Sequence, residues 1–256
     1  MEYFLELSSS GLVRGSIYAL IALGYTMVYG IIQLINFAHG EIYMIGAFVA
    51  LIVSGVLTIY GFSGVSILIL AALIAAIYAA AYGYTLEKIA YRPLRNAPRL
   101  SPLISAIGMS LFLQNYVLLA QTPDFLPFPA LIPDFDFMEP IAHIMGSPEL
   151  VILVTSAISM VALTVLIKYT RIGKAMRATQ QDMTMARLVG VNVDNVISMT
   201  FVIGSVLAAI GGVLVGSYIG QINFYIGFMA GVKAFTAAVL GGIGNIPGAV
   251  LGALVL

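Results

Sequence analysis

The chain has 256 residues, of which 61% are hydrophobic and only 9% are charged, and its mean hydropathy is +1.06. A soluble domain carries about 25% charged residues, so the composition excludes a soluble globular protein and indicates an integral membrane protein. Eleven Lys/Arg balance eleven Asp/Glu, so the charge gives no indication of a nucleic-acid partner, and the absence of cysteine excludes disulfides and thiol chemistry.

Apolar runs long enough to cross a bilayer as helices recur along the chain, since about 20 apolar residues suffice for one crossing. Six such runs lie near residues 11–35, 42–58, 64–84, 101–120, 150–167 and 196–217, and one more long stretch covers 227–256. The runs are continuous, whereas barrel strands would alternate every second residue. They predict an all-α polytopic bundle of about seven to eight transmembrane helices in one domain, residues 1–256. Because the chain ends inside an apolar run, we expect it to be truncated at the C-terminus.

The polar segments between the runs differ in the sign of their charge. Nine of the eleven basic residues lie in segments 85–100 and 168–195, whereas segment 121–149 has none and carries Asp124, Asp134, Asp136, Glu139 and Glu149. Positively charged loops stay on the cytoplasmic side, so the two basic segments are predicted to be inside and the acidic segment outside. Counting spans backward then places the N-terminus outside and residues 36–41 at the inner side.

Small residues recur every four positions in two places. These are Gly204, Ala208, Gly212, Gly216 and Gly220, followed by Gly244, Gly248 and Gly252. In lipid, small residues at this spacing let helix backbones approach closely. Tight packing within the chain, a subunit interface and a pathway lining all fit this pattern.

Segment 35–40, Ile-Asn-Phe-Ala-His-Gly, is echoed by segment 222–227, Ile-Asn-Phe-Tyr-Ile-Gly. The assigned orientation puts the first at the inner side and the second at the outer side. Opposite placement is what an inverted repeat would give, and transporters often build their pathway where two such repeats meet. Coincidence among common membrane residues is the other explanation.

Ionisable and polar groups within apolar surroundings are candidate functional residues, because burying a charge in lipid is costly. Asn36, His39 and Glu41 form either a plain cytoplasmic turn or a helix broken at membrane depth, and Asn223 is the counterpart of Asn36 in the echo. Lys233 either extends its side chain to the headgroups or lines a polar pathway. For Arg14, three residues into the first span, we expect the headgroup position.

Two further segments are informative. Segment 241–248 is rich in glycine but lacks the Gly-Lys-Ser/Thr of a phosphate loop, so a helix break at Pro247 and its glycines is expected. Segment 171–190 is too polar to span the membrane and is helical in its residue choice, with Gly190 suited to a helix C-terminus. It is either an ordinary basic loop or a short helix presented to a cytoplasmic partner.

Four long motifs resemble the permease subunits (Liv H-type) of branched-chain amino acid ABC importers. They are INFAHGEIYMIGAF (35–48), IAYRPLRNAPRLSPLISAIGMSLFLQNY (89–116), GVNVDNVISMTFVIG (190–204) and NFYIGFMAGVKAFTAAVLGGIGNIPGA (223–249). The resemblance covers nearly the whole chain. Family members usually continue past the position of Leu256.

The resemblance implies a multi-pass protein of the bacterial inner membrane that transports Leu, Ile or Val by alternating access. Its partners would be a second permease subunit, two cytoplasmic ATP-binding subunits and a periplasmic substrate-binding protein, and the chain itself would hold no cofactor, metal or catalytic residue. Segment 171–190 would couple to the ATPases, with the residues of interest being Arg171, Lys174, Arg177, Ala186 and Gly190. The coupling pattern of such permeases is only partly present, since Thr184 and Met185 replace its first two residues.

Two other classes of membrane protein are alternatives. A channel or secondary transporter would share broken helices and a repeat, but would typically place a paired ionisable group within the membrane, and no such pair is visible in the sequence. A membrane-embedded enzyme would need clustered His, Asp or Ser, and the two histidines, His39 and His143, lie on predicted opposite sides.

Overall fold

The computed structural model describes residues 2–95, 97, 98, 100–132 and 145–256, and the described chain is almost entirely helical. Its helices are α1 (Glu2–Ile32), α2 (His39–Ile59), α3 (Val65–Leu86), α4 (Leu100–Ala120), α5 (Ser147–Tyr169), α6 (Arg171–Gln181), α7 (Met183–Leu188), α8 (Val193–Ile219), α9 (Ile226–Leu240) and α10 (Ile246–Val255). A π-helix (Glu87–Tyr91) and a 3₁₀ turn (Arg92–Leu94) extend α3. Two short strands, β1 (Leu126–Pro127) and β2 (Gln221–Ile222), pair antiparallel.

Six of these helices are long and apolar enough to cross a membrane, in agreement with the six predicted runs. The predicted stretch 227–256 is divided between α9 and α10, which are shorter apolar helices. The break between them is made by residues 241–245, whereas Pro247 lies in the first turn of α10, where its missing N–H costs no helix hydrogen bond. The helix break predicted for segment 241–248 is therefore confirmed at its glycines, whereas Pro247 starts a helix and does not interrupt one.

The first and last thirds of the chain repeat one architecture. In each, a long helix ends, the next residue adopts a positive φ, a short connection follows and a second helix begins. The corresponding pairs are Ile32 and Ile219, Gln33 (φ +53°) and Gly220 (φ +75°), and His39 and Ile226. One constant sequence offset relates the members of every pair, and it is the offset of the echoed hexapeptide.

The two copies run in opposite directions. Gly24 of α1 packs against Gly204 of α8, while Leu20, earlier in α1, packs against Gly211, later in α8. The long helices are therefore antiparallel, as an inverted repeat requires.

The two connections turn back into the bundle. His39, at the start of α2, packs against Gly24, which precedes the end of α1 by two turns, about 12 Å at helical rise. The start of α9 reaches the same level, because Gly227 contacts Gly40. The two hexapeptides therefore meet inside the bundle, which fits the alternative of a helix broken within the membrane, while the sides from which they enter stay a prediction. Hydropathy did not reveal the re-entry because both connections are themselves partly apolar.

The glycine-rich faces serve close packing within the chain at most of the predicted positions. Gly212 packs against the carbonyl of Tyr43, Gly216 against the Phe128 ring and Gly252 against the carbonyl of Ala237. Gly220 and Gly244 lie outside the helices, in turns with positive φ. Each of the two helix faces therefore has one small residue fewer than the four-residue spacing predicted.

The basic segments and the acidic segment, which differ in the sign of their charge, lie at opposite ends of α8. The basic segments meet, because Arg95 pairs with Asp194 at the start of α8. At the other end of α8, the amide of Phe128 donates to the Gly220 carbonyl, 2.9 Å away. Residues 133–144 of the acidic segment, which include Asp134, Asp136, Glu139 and His143, lie outside the described residues, as does Arg99.

Candidate functional site at the repeat crossing

The polar residues at the start of α2 lie inside the protein. Asn36, His39 and Glu41 are 2%, 1% and 0% exposed, so these residues do not form a solvated turn. The amide of His39 donates to the carbonyl of Asn36, 3.1 Å away, which shapes the connection as it enters the helix.

His39 and Glu41 face different neighbours. The His39 ring stacks edge-on with Tyr25 of α1, with 4.9 Å between the ring centroids, and its Nε2 lies against Gly24. Glu41 points toward α4 and α9. It accepts a hydrogen bond of 2.9 Å from the hydroxyl of Ser110, which lies in α4. The two side chains therefore do not form a dyad, in agreement with their spacing along the helix.

Glu41 also lies against the first turn of α9, since a Cβ at Gly227 would come within 2.6 Å of Glu41 Oε2. Among the described residues, Oε2 has no hydrogen-bond partner, and neither do Asn36 Nδ2 and His39 Nε2. A carboxylate near a helix N-terminus is stabilised by the positive end of the helix dipole. Small residues and buried polar groups therefore lie together at the repeat crossing, the place where the start of α2 meets the start of α9.

Asn36 and Asn223 occupy equivalent places in the two connections. The Asn223 carbonyl accepts from the amide of Ile226 at 3.4 Å, as Asn36 does from His39. Their side chains are used differently: Asn36 Oδ1 accepts from the Tyr91 hydroxyl at 3.0 Å, whereas Asn223 Oδ1 accepts from the amide of Tyr225 at 3.1 Å. Asn223 is half-buried and does not join the polar cluster around Glu41.

Lys233 lies on the exposed side of α9, away from that cluster. Its ammonium donates to the Tyr18 hydroxyl at 3.2 Å and lies 5.3 Å from the centre of the Tyr18 ring. Cation–π contacts of this kind are favourable at such distances. The sequence had given no partner for Lys233, because Tyr18 is on a different helix.

Segment 171–190 forms the two short helices α6 and α7 at the end where the basic segments meet. Arg171, Lys174 and Arg177 are exposed on α6, and Arg177 donates to the Ile167 carbonyl at the end of α5. Ala186 is buried, and Gly190, with φ +87°, follows the end of α7. The amide of Val191 donates back to the Ala186 carbonyl at 2.9 Å, as in a glycine-terminated helix.

The segment also presents an apolar surface that the sequence analysis had not singled out. Asp182 ends α6 and caps α7 by accepting from the amides of Thr184 and Met185. Met185 and Leu188 on α7 are 60% and 75% exposed, and Val189, which directly follows α7, is 78% exposed. The letters Met-Ala-Arg-Leu-Val were visible in the sequence, but only the buried position of Ala186 shows which of them face outward.

Sequence reasoning also missed an ionic network that connects the two basic segments. Glu87, in the π-helix, is fully buried and pairs with both Arg92 and Arg95. Its other oxygen accepts from the Ser198 hydroxyl at 2.7 Å, and Arg95 also pairs with Asp194. The network joins the end of α3 to the start of α8. Charge counting treated Glu87 as one acid in a basic loop, because the partner helix is distant in sequence.

Comparison with known proteins gives a consistent result. The family described as "Branched-chain amino acid transport system / permease component" matches residues 7–256. The permease protein LivH of the high-affinity branched-chain amino acid transport system of Escherichia coli (strain K12) is 51% identical over 99% of this chain and 84% of its own length.

The permease protein BraD of the corresponding system of Pseudomonas aeruginosa shows the same identity and coverage. A more distant relative, the autoinducer 2 import system permease protein LsrC of Yersinia enterocolitica, is 36% identical over 38% of this chain and 28% of its own length. No solved structure matches the chain.

Proposed function

The chain belongs to the family of permease components of branched-chain amino acid transport systems, and from this premise we propose that it carries Leu, Ile or Val across the bacterial inner membrane as one subunit of an ATP-driven importer. The family and the close relatives are transport permeases, not enzymes. The observation that carries the proposal is the 51% identity to LivH and BraD along nearly the whole chain.

In the proposed complex, this chain and a second permease subunit form the translocation path, and a periplasmic binding protein delivers the amino acid. Two cytoplasmic ATPase subunits bind and hydrolyse ATP, and their closure opens the path alternately to the two sides. The inverted repeat supports this mechanism, since transporters with such repeats commonly change access by rocking one part against another around a central site.

Segment 171–190 would dock into an ATPase subunit. It carries three exposed cations on α6 and three exposed apolar residues, of which Met185 and Leu188 lie on α7 and Val189 directly follows it. An apolar centre with a charged rim is the usual composition of a protein–protein interface. The segment is also attached firmly, through buried Met176 and Ala186, so a movement of the ATPase would be passed on to α5 and α8.

The test is co-purification of the complex in detergent, followed by leucine uptake into proteoliposomes. We expect the ATPase subunits to elute with this chain, and uptake to need both ATP and the loaded binding protein. Charge reversal at Arg171, Lys174 and Arg177 should release the ATPases, whereas Lys88→Glu, an exposed cation in the other basic segment, serves as the matched control. A chain that elutes alone and transports without ATP would instead be a channel or secondary transporter.

A further inference from the structure

A groove runs between α1, α8 and α9, near the end of α8 that carries Ile219. It consists of two adjoining cavities of about 260 and 160 Å³, which share Tyr18, Val215 and Ile219 as common walls. A water molecule takes about 30 Å³, so the groove has room for a small solute.

Both ends of the groove carry a cation. Arg14 lines the larger cavity and Lys233 the smaller one. Within the described residues, neither cation has an acidic group within ion-pair distance, since the ion pairs there involve Arg92 and Arg95.

The position of Lys233 is costly unless something polar covers it. Lysine at the centre of a membrane helix costs about 2.5–3.5 kcal/mol, and ionisable residues in such helices therefore usually face the bundle interior or a water-filled cavity. Helical side chains point back toward the N-terminus of their helix, and that of Lys233 points into the groove, where it meets Tyr18.

The hydrogen-bonding groups of the smaller cavity suit a carboxylate. The ammonium of Lys233 donates to Tyr18 Oη, which leaves the phenolic proton free to donate to a bound anion. The remaining wall is largely apolar, with Val215, Ile219 and Met229 among its residues. A cation and a hydroxyl beside an aliphatic wall match the carboxylate and the side chain of a branched-chain amino acid.

We propose that this groove is a binding station for the transported amino acid, whose carboxylate is held by Lys233 and Tyr18 and whose side chain lies on the apolar wall. The inference rests on the proposed function, since it assumes that the groove faces the path between the two permeases. An anionic lipid headgroup offers the same chemistry as the carboxylate, so the test must distinguish the two.

The experiment measures uptake of radiolabelled leucine by the full importer in vesicles of phosphatidylcholine, and in parallel in vesicles that also contain phosphatidylglycerol. Lys233→Met removes the charge and keeps the stem, while Lys233→Arg keeps the charge. The matched control is Lys88→Met, because Lys88 is also exposed and lies 5.6 Å from the centre of the Tyr84 ring, but outside the groove. Co-purification of the ATPases and their basal activity report on folding.

We expect Lys233→Met to reduce uptake by about tenfold to a hundredfold in both vesicle types, the range for one lost charge-assisted hydrogen bond. Lys233→Arg should retain most of the uptake, and Lys88→Met should match the wild type. Equal uptake by Lys233→Met and Lys88→Met would overturn the inference and leave the proposed function intact. A loss confined to phosphatidylglycerol vesicles would assign the groove to lipid and also overturn it. Failure of the wild type to import leucine would remove both.

Discussion

Gly40 of α2 and Gly227 of α9 contact each other backbone to backbone, and a Cβ on either would come within 3.0 Å of the other's carbonyl oxygen. These two glycines are the final residues of the echoed hexapeptides. The two copies of the repeat therefore meet at equivalent positions, and the size of these residues sets the distance between α2 and α9.

Gly40→Ala should accordingly destabilise the protein. The added methyl group would overlap with backbone, which cannot rotate away, and overpacking of this kind costs about 1–3 kcal/mol. We expect the melting temperature in detergent, followed by size-exclusion chromatography after heating, to fall by several degrees. Gly55→Ala in the same helix is the control, since a Cβ there meets nothing within 4 Å. Equal melting temperatures for the two variants would contradict the contact.

A second prediction concerns Glu87, which is buried between two arginines. Glu87→Ala would leave Arg92 without its ion-pair partner and Arg95 with Asp194 alone, and breaking a buried ion pair in this way costs about 3–5 kcal/mol. Thermal unfolding of the purified protein should show a large loss of stability. Asp194→Ala is the comparison, because Asp194 is 48% exposed and exposed pairs contribute at most about 1 kcal/mol. The reverse order of the two losses would refute the assignment of Glu87 as the centre of the network.

A third prediction concerns the hydrogen bond between Ser110 and Glu41. Ser110→Ala removes the donor of that bond and leaves a buried oxygen of Glu41 without a partner, which costs about 1–3 kcal/mol. The variant should therefore unfold at a lower temperature than the wild type. Ser66→Ala should have little effect, because Ser66 is exposed and bonds only to the carbonyl of Ser63 in its own turn. Indistinguishable stabilities would mean that Glu41 does not depend on Ser110.

The sequence was sufficient for the spans and for the family, because both depend on long local patterns. It was also sufficient to detect the echo between 35–40 and 222–227. It could not give the depth of these segments, since a connection containing Ile35 and Phe37 has the same hydropathy whether it ends a span or turns back into the bundle. The packing of His39 against Gly24 and of Gly40 against Gly227, and not the hydropathy, reveals the re-entry.

Contacts between distant segments were also beyond the sequence. The pairing of Glu87 with Arg95 is local, but the closing of the network on Asp194 and Ser198 needs α3 to pack beside α8. In the same way, Lys233 obtains its partner from α1, at Tyr18. The sequence had singled out Lys233 as an unusual charge but not Glu87, and in both cases only the packing of the helices identifies what surrounds the charge.

The orientation in the membrane gives a fourth prediction, which the absence of cysteine makes simple to test. Asp124→Cys and Lys174→Cys each introduce one thiol at an exposed position, the first in the acidic segment and the second on α6. Because basic segments stay inside, a membrane-impermeant maleimide should label the first variant in intact spheroplasts and the second only after lysis.

The unmodified chain provides the background for this labelling experiment, since it offers no thiol to the reagent. The opposite labelling pattern would reverse the orientation and would place segment 171–190 on the outside. ATPase subunits in the cytoplasm could not reach it there, so that result would also count against the proposed coupling role of α6 and α7.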